Sequence, residues 1–153
     1  MPPDITFENA VPSDGEELAA LRIAAMRESL ERLGRFDVRR ARMRFLSGFS
    51  PEHTRHILLA GERVGFFVVK VEEAALLLDH LYIRPGHQGR GVGAAVLVHV
   101  FAQADRRACP VRVGALRESD SNRFYERHGF TLLEQTEFDN HYVRHASPAP
   151  RRL

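Results

Sequence analysis

The chain has 153 residues, which is enough for one domain with a hydrophobic core and too few for two domains of ordinary size. Its 44% hydrophobic and 27% charged residues are ordinary for a globular protein, and a net charge of +2 gives no argument for nucleic-acid binding. The single cysteine, Cys109, excludes an intrachain disulfide. The N-terminus has no leader-like pattern and no stretch approaches about 20 apolar residues, so we expect a cytoplasmic protein that does not enter a membrane.

The first third of the chain predicts one strand and two helices. Residues 5–7 alternate between apolar and polar side chains, which predicts a short strand. Ser13 and Glu16 have the spacing of a capping box, which predicts Ser13 as the N-cap of an amphipathic helix that ends at Gly34. A second helix is predicted over residues 37–46. Its remaining positions are rich in arginine: Arg39, Arg40, Arg42 and Arg44. A solvated helix face is the simplest interpretation of these arginines, although they could attract an acidic ligand.

The rest of the chain predicts strands that alternate with two more helices. Residues 56–60 and 63–70 are strand-like runs joined by a tight turn at Gly61–Glu62, and the run 74–83 predicts a third strand. The later predicted elements are a helix at 94–101, a strand at 111–116, a helix at 119–127 and strands at 130–133 and 138–143. This pattern, without repeat or linker, predicts a single domain over residues 1–146 and a flexible tail at 147–153.

The glycine-rich stretch from Gln88 to Gly93 lies between a predicted strand and a predicted helix. Glycines at such a junction allow the backbone to approach a ligand closely. The helix N-terminus adds N–H donors without helical partners and the positive end of the helix dipole. The stretch therefore predicts a site for an anion, most often a phosphate.

Three kinds of phosphate loop can be compared with this stretch. Gly86 and Gly91 have the separation of a Walker loop, but Val92–Gly93 stand where that loop needs lysine and a hydroxyl. A dinucleotide fingerprint can be laid over Gly89, Gly91 and Ala94, but a proline-containing turn separates it from the strand and no acid follows at the required distance. The third pattern, Gln-x-x-Gly-x-Gly after an apolar residue, Arg and Pro, is complete. It resembles the pyrophosphate loop of the GNAT superfamily of acyl-CoA-dependent N-acetyltransferases.

A second motif extends the resemblance. Phe124-Tyr125, followed by Gly129-Phe130, resembles the Phe-Tyr-x-x-x-Gly-Phe signature of the same superfamily, downstream of the glycine loop. Together with a helical pair before a central sheet, the two motifs make the resemblance cover nearly the whole chain. It implies an α/β, or α+β, three-layer fold with a central mixed sheet of six to seven strands, splayed to hold acyl-CoA, and helices on both faces.

The resemblance implies acetyl-CoA as the cofactor and assigns its contacts. The pantetheine arm would pair with the end of a strand, as an added strand does, at Leu81, Tyr82 and Ile83. The pyrophosphate would lie on the glycine loop, formed by Gln88, Gly89, Arg90, Gly91, Val92, Gly93 and Ala94. Relatives often carry an Asn six or seven residues before the motif Tyr, but Glu118 and Ser119 occupy those positions here. Either Ser119 or Asn122 is therefore left to supply that contact.

The implied reaction transfers the acetyl group to a primary amine by direct attack through a tetrahedral intermediate. It needs a base for the amine, a donor for the oxyanion and an acid for the departing sulfur. The resemblance assigns the acid to Tyr125, whose phenol suits a thiolate leaving group. Asp79 and His80 are the candidate bases, and they face opposite sides of a strand. Asp79 is preferred because many relatives carry an acid at its position.

The acceptor implied is a small-molecule or peptide amine, with neither a nucleic-acid partner nor a metal. His141 and His145 lack ligand spacing and cysteine partners, which argues against a metal site. The segment 137–142 lies where relatives close the acceptor pocket or pair between subunits, so a homodimer is compatible with the resemblance. Two other functions stay open. One is a non-catalytic acyl-CoA-binding sensor or scaffold, and the other, which rests only on the arginine-rich helix and the pI near 9.1, is a nucleic-acid-binding domain.

Overall fold

The computed structural model describes residues 4–34 and 36–147. The described chain contains seven strands and four α-helices. In chain order they are β1 (Ile5–Asn9), α1 (Gly15–Arg32), α2 (Val38–Gly48), β2 (Thr54–Leu59), β3 (Glu62–Val71), β4 (Leu76–Ile83), α3 (Val92–Arg106), β5 (Val111–Leu116), α4 (Ser121–Arg127), β6 (Thr131–Gln135) and β7 (Asp139–Arg144). Apart from Ser147, the predicted tail lies outside the described residues, as do the first three residues of the chain.

The strands form one mixed sheet in the order β1-β2-β3-β4-β5-β7-β6. β4 and β5 are parallel, and α3 supplies the crossover connection that parallel neighbours require, whereas β5 with β7 and β6 with β7 are antiparallel. The parallel ladder joins Leu76–Leu78 to Val111–Val113 and includes only the first three residues of each strand. The predicted fold, a mixed sheet of six to seven strands with helices, is confirmed.

Two compact units share the described chain. One contains the residues up to Val68 together with His80–Ala95, and the other contains Val69–Asp79 together with the residues from Val96 onward. β3, β4 and α3 each pass from one unit into the other.

The core of the first unit lies between the α1–α2 pair and β3. Leu18 and Leu21 project from one side of α1 because their spacing matches the helical period. They pack with Phe45 of α2 and Phe66 of β3, whose ring centroids are 5.6 Å apart. Phe67, the next residue of β3, is also buried, so this strand is covered on both faces.

The core of the second unit is built from α3, β5 and the C-terminal hairpin. Val96, Val100 and Ala104 are fully buried at intervals of four along α3. Val111 and Val113 are buried at alternate positions of β5. The helix is tied to β7 by Arg144, whose Nη1 donates to the Asp105 carboxylate at 2.7 Å. This guanidinium and the Ser147 N–H lower the pKa of Asp105.

Some predicted boundaries were wrong for local reasons. Ser13 is not the N-cap of α1, because Pro12–Asp14 form a short 3-10 turn and the Asp14 carboxylate accepts the Val11 N–H at 2.9 Å. The hairpin turn lies at Ala60–Gly61, both with positive φ, rather than at Gly61–Glu62. α4 begins at Ser121, two residues later than predicted.

Candidate active site

The glycine loop follows β4 and leads directly into α3. Gly86, Gly89 and Gly91 have φ of +95°, +76° and +79°, a left-handed backbone that other residue types rarely adopt. Gln88 secures the loop to the end of β4, since its Nε2 donates to the Ile83 carbonyl at 3.0 Å. A Cβ added to Gly89 would meet no heavy atom within 4 Å, so the surface of the loop is open at that point.

α3 begins within the glycine motif, two residues earlier than predicted. The Ala95 N–H donates to the Gly91 carbonyl at 3.1 Å. The N–H groups of the three residues before Ala95 lie at the helix N-terminus, where helical carbonyls cannot accept them. The Val92 side chain is 2% exposed and anchors the start of the helix in the core. Arg90 is exposed, and its side chain forms no ion pair with another residue of the described chain.

The second half of β4 lies against β3 at very short range. A Cβ on Gly65 would be under 3.0 Å from the Tyr82 carbonyl oxygen and 3.2 Å from the Ile83 Cα. The register between β2 and β3 shifts at this point, as in a β-bulge, and the Arg84 N–H donates to the Val64 carbonyl at 2.7 Å. Only glycine fits here, so Gly65 fixes the position of the Leu81–Ile83 segment.

Asp79 and His80 have different surroundings. The Asp79 carboxylate is 3.2 Å from the Lys70 ammonium, and each of these two side chains is about one-third exposed. The His80 ring lies among three aromatic rings, with centroids 5.6 Å from Phe45, 6.2 Å from Phe66 and 5.6 Å from Tyr82. His80 therefore belongs to the aromatic cluster packed under α2.

Tyr125 lies on α4 with only 5% of its surface exposed. Its ring meets Phe130 edge-on at 5.3 Å between centroids and is 6.3 Å from Tyr142. The Phe130 N–H donates to the Tyr125 carbonyl at 3.1 Å, which closes the turn after α4. The Phe-Tyr motif thus places this phenol in a packed environment that restricts its rotamers.

Asn122 is a hydrogen-bonding centre within the second unit. Its Nδ2 donates to the Leu116 carbonyl at 3.0 Å and the Ser119 carbonyl at 2.9 Å. Its Oδ1 accepts from Asn140 Nδ2 and from the Tyr142 hydroxyl, both at 2.8 Å. Both ends of the amide are therefore engaged within the protein, and the predicted cofactor contact would have to displace one of these partners.

The predicted site residues divide between the two units. The unit that contains the glycine loop also holds His80 and Leu81–Ile83. Asp79, Ser119, Asn122 and Tyr125 belong to the other unit. Among the latter, Ser119 and Asn122 are brought together, with Asn122 Nδ2 3.3 Å from the Ser119 hydroxyl.

Sequence reasoning missed one buried polar pair. His56 on β2 has a side chain 1% exposed, and its Nε2 is 2.8 Å from the Asp14 carboxylate. Burial raises the pKa of Asp14, but hydrogen bonds from His56 and the Val11 N–H, with the charges of His56 and Arg63, outweigh that effect and lower it. The distance of 42 residues along the chain left no local signal for this pair.

Sequence reasoning also missed a cavity lined by arginines from α1 and α2. Arg40 and Arg44 lie one helical turn apart on one face of α2, as their spacing could have indicated. Arg22 lies one helical turn after Leu18 on α1, and this spacing could have indicated that it lies on the inward side of the helix.

Within the described ranges 4–34 and 36–147, no helix has the length and apolar character that a membrane crossing would require. The same residues contain no group of three or more His, Cys, Asp or Glu side chains arranged to hold a metal ion.

Solved structures show the same fold in other proteins. PaiA N-acetyltransferase from Thermoplasma acidophilum, in complex with coenzyme A, superimposes with a TM-score of 0.76 at 14% identity, covering 92% of this chain and 98% of that one. An acetyltransferase from Thermus thermophilus gives 0.72 at 19% identity, with coverage of 92% and 96%. The ribosomal-protein-S18-alanine N-acetyltransferase from Escherichia coli gives 0.65 at 18%, with coverage of 97% and 98%.

Comparison of sequences gives the family. No curated protein matches the chain significantly. The acetyltransferase (GNAT) domain matches residues 53–132, just over half of the chain, from the start of β2 into β6. This match includes the glycine loop and the Phe-Tyr motif. The chain belongs to the GNAT acetyltransferase family, which confirms the resemblance and the predicted enzyme class, an acetyl-CoA-dependent acyltransferase.

Proposed function

We propose that this protein is an N-acetyltransferase that transfers the acetyl group of acetyl-CoA to a primary amine. The observation that carries the proposal is the glycine loop between β4 and α3. Three left-handed glycines, a helix N-terminus and the exposed Arg90 together form a site with the donor groups that a pyrophosphate requires. The open surface at Gly89 leaves room for that group to approach the backbone.

The residues of this loop and strand would hold the donor by backbone groups. The N–H groups of Gly89–Ala94 would bind the pyrophosphate, while the Gln88 side chain maintains the loop through its bond to Ile83. Leu81–Ile83 would pair with the pantetheine arm, in a position fixed by Gly65. When bound, acetyl-CoA supplies the activated thioester. We assign no cofactor role to Asn122 because its amide already serves the protein, which leaves Ser119, just before α4, as the candidate.

Two side chains would carry the proton transfers. Tyr125 would donate a proton to the sulfur as it leaves, and its packed ring limits the motion of the phenol. For the base we favour His80 over Asp79, because the Asp79 carboxylate is committed to an ion pair with Lys70 whereas an imidazole nitrogen can accept the proton of the acceptor amine. The acceptor nitrogen would then attack the carbonyl directly, before the sulfur departs.

The first experiment tests the loop. Gly93 lies in the first turn of α3, where valine can adopt the backbone conformation, so Gly93→Val should crowd the pyrophosphate site without unfolding the helix. We expect acetyl-CoA affinity, measured by calorimetric titration, to fall by about tenfold or more because close backbone approach is lost. Ala102→Val, on the exposed side of the same helix, is the matched control and should bind like wild type. Equal affinity in all three proteins would remove the loop from the proposal.

A second experiment separates catalysis from binding. Tyr125→Phe should lower kcat by about 10²-fold or more while acetyl-CoA affinity and the unfolding midpoint stay near their wild-type values. Thiol release with a panel of amines measures kcat directly. An unchanged kcat would exclude Tyr125 as the acid. Tight acetyl-CoA binding by wild type without thiol release for any amine would instead support the non-catalytic acyl-CoA-binding alternative.

We also propose that the protein acts in the cytoplasm, where its one thiol, Cys109, would remain reduced. The acceptor would be a small-molecule or peptide amine.

A further inference from the structure

An open cavity of about 350 Å³ lies between α1 and α2. Arg22 of α1 and Arg40 and Arg44 of α2 line it, with Asp37 at the start of α2 as the acid. Leu30, Phe36 and Ala41 supply apolar surface. The volume lies at the lower end of the range for small-molecule sites, and half of the residues that line the cavity are charged.

The arginines of this cavity lack ion-pair partners within the described chain. The Nε of Arg22 is buried and forms no hydrogen bond there, and its guanidinium carbon is 5.7 Å from the centre of the Tyr82 ring. The side chains of Arg40 and Arg44 form no ion pair with a described residue. By contrast, Arg42 of the same helix pairs with Glu16, which raises the Arg42 pKa.

The acid in the cavity does not balance these charges. Asp37 is the N-cap of α2, and its carboxylate accepts the Arg40 N–H at 3.0 Å. Three guanidinium groups therefore face one carboxylate that already serves the helix. A buried, unsatisfied N–H is costly unless a partner supplies an acceptor. Guanidinium groups bind carboxylate and phosphate oxygens in a bidentate geometry, and the buried Nε of Arg22 adds a donor that is shielded from water.

We propose that this cavity binds a carboxylate or phosphate group on a small acceptor amine, so that the enzyme selects anionic acceptors. This inference rests on the proposed N-acetyltransferase function. Tyr82 connects the cavity to that function. Arg22 lies over the Tyr82 ring, and Tyr82 belongs to the segment assigned to the pantetheine arm. His80, the favoured base, is 5.6 Å from the same ring. An anion held by Arg22 is thus next to the residues assigned to the reaction.

The first test measures anion binding without any reaction. Inorganic phosphate and succinate are titrated into the full chain, and binding is followed by calorimetry and by the rise in unfolding temperature that a ligand of the native state produces. We expect Arg22→Gln and Arg44→Gln each to weaken binding by about tenfold, the effect of one charged hydrogen bond. Arg39→Gln, an exposed position on α2 outside the cavity, removes the same charge and should change affinity by less than about twofold.

The second test uses pairs of acceptors that differ only in the anionic group. Phosphoethanolamine is compared with ethanolamine, and 4-aminobutyrate with butylamine, so the two pairs distinguish phosphate from carboxylate. We expect wild type to prefer the anionic member of at least one pair by about tenfold or more in kcat/KM, and Arg44→Gln to reduce that preference towards unity. Arg44 is exposed, so this variant keeps the test valid if Arg22→Gln folds poorly.

Three outcomes would overturn the inference. One is a preference for anionic acceptors that is the same in wild type, Arg44→Gln and Arg39→Gln. Another is equal or better use of the neutral amines by wild type. The third is a loss of affinity for CoA, but not for dephospho-CoA, in the arginine variants, which would assign the cavity to the donor's 3′-phosphate. Failure of acetyl transfer to every amine would refute the proposed function. The first test would still show whether the arginines of the cavity bind an anion, because it needs no reaction.

Discussion

Gly65→Ala should separate β4 from β3 at the segment assigned to the cofactor. The added methyl group would lie under 3.0 Å from the Tyr82 carbonyl oxygen and near the Ile83 Cα. Both contacts are backbone atoms, so no side-chain rotation can relieve them and the strands must move apart. Overpacking of this kind costs about 1–3 kcal/mol, and weakening the adjacent bond from Arg84 N–H to Val64 adds about 1 kcal/mol. We expect a loss of about 3 kcal/mol in the free energy of unfolding.

Denaturant unfolding and acetyl-CoA titration measure the two consequences of this substitution. A domain stable by about 5–15 kcal/mol should remain folded in the variant, so its function can be assayed. Displacement of the Tyr82 backbone should also weaken acetyl-CoA binding by about tenfold or more, since it moves the segment assigned to the pantetheine arm. Gly114→Ala is the control, because its methyl group would be 3.7 Å from His141, an ordinary contact. A Gly65→Ala protein with wild-type stability and acetyl-CoA affinity would refute this account of the strand.

Two further predictions concern hydrogen bonds away from the loop. Because the folded-state pKa of Asp14 lies below its ordinary value of 3.8, its contribution to stability is present above that pH and lost as pH falls through the folded value. Asp14→Asn should therefore lower the free energy of unfolding by about 1–3 kcal/mol near neutral pH, and this loss relative to wild type should shrink below about pH 4. Urea titrations measure the difference, and a difference that stays constant with pH would argue against the pair with His56. Asn122→Asp should cost about 2–3 kcal/mol, because a carboxylate cannot donate to the carbonyls of Leu116 and Ser119. Weakened acetyl-CoA binding at wild-type stability would instead return Asn122 to the cofactor site.

The features that could be predicted from the sequence are those encoded in neighbouring residues. The order of strands and helices follows from hydrophobic periodicity, and the glycine loop follows from a spacing that only one of three phosphate-binding patterns completes. The Phe-Tyr motif likewise placed Tyr125 on a short helix before a strand. Each of these signals lies within about ten residues of chain, where backbone geometry limits the alternatives.

The features that could not be predicted depend on distant partners. Ser13 has the residue type and spacing of an N-cap, but Pro12 and Asp14 form a competing turn that Asp14 also stabilises through His56. The contact between Gly65 and Tyr82 needs the strand pairing itself. Predicting the cavity would require the packing of α1 on α2. It would also require knowing that the Arg42 side chain forms an ion pair, whereas the Arg44 side chain forms none with a described residue.

The division of the chain has a consequence for how this protein can be cut. The chain crosses from one compact unit to the other after Val68, after Asp79 and after Ala95. All three crossings fall inside β3, β4 or α3, whereas separable domains normally divide in exposed linkers. No single continuous fragment therefore carries either unit, and we expect truncated versions ending near residues 68 or 95 to be insoluble. A split reporter or an inserted tag belongs at the exposed bend around Glu73, between β3 and β4, where no element is broken.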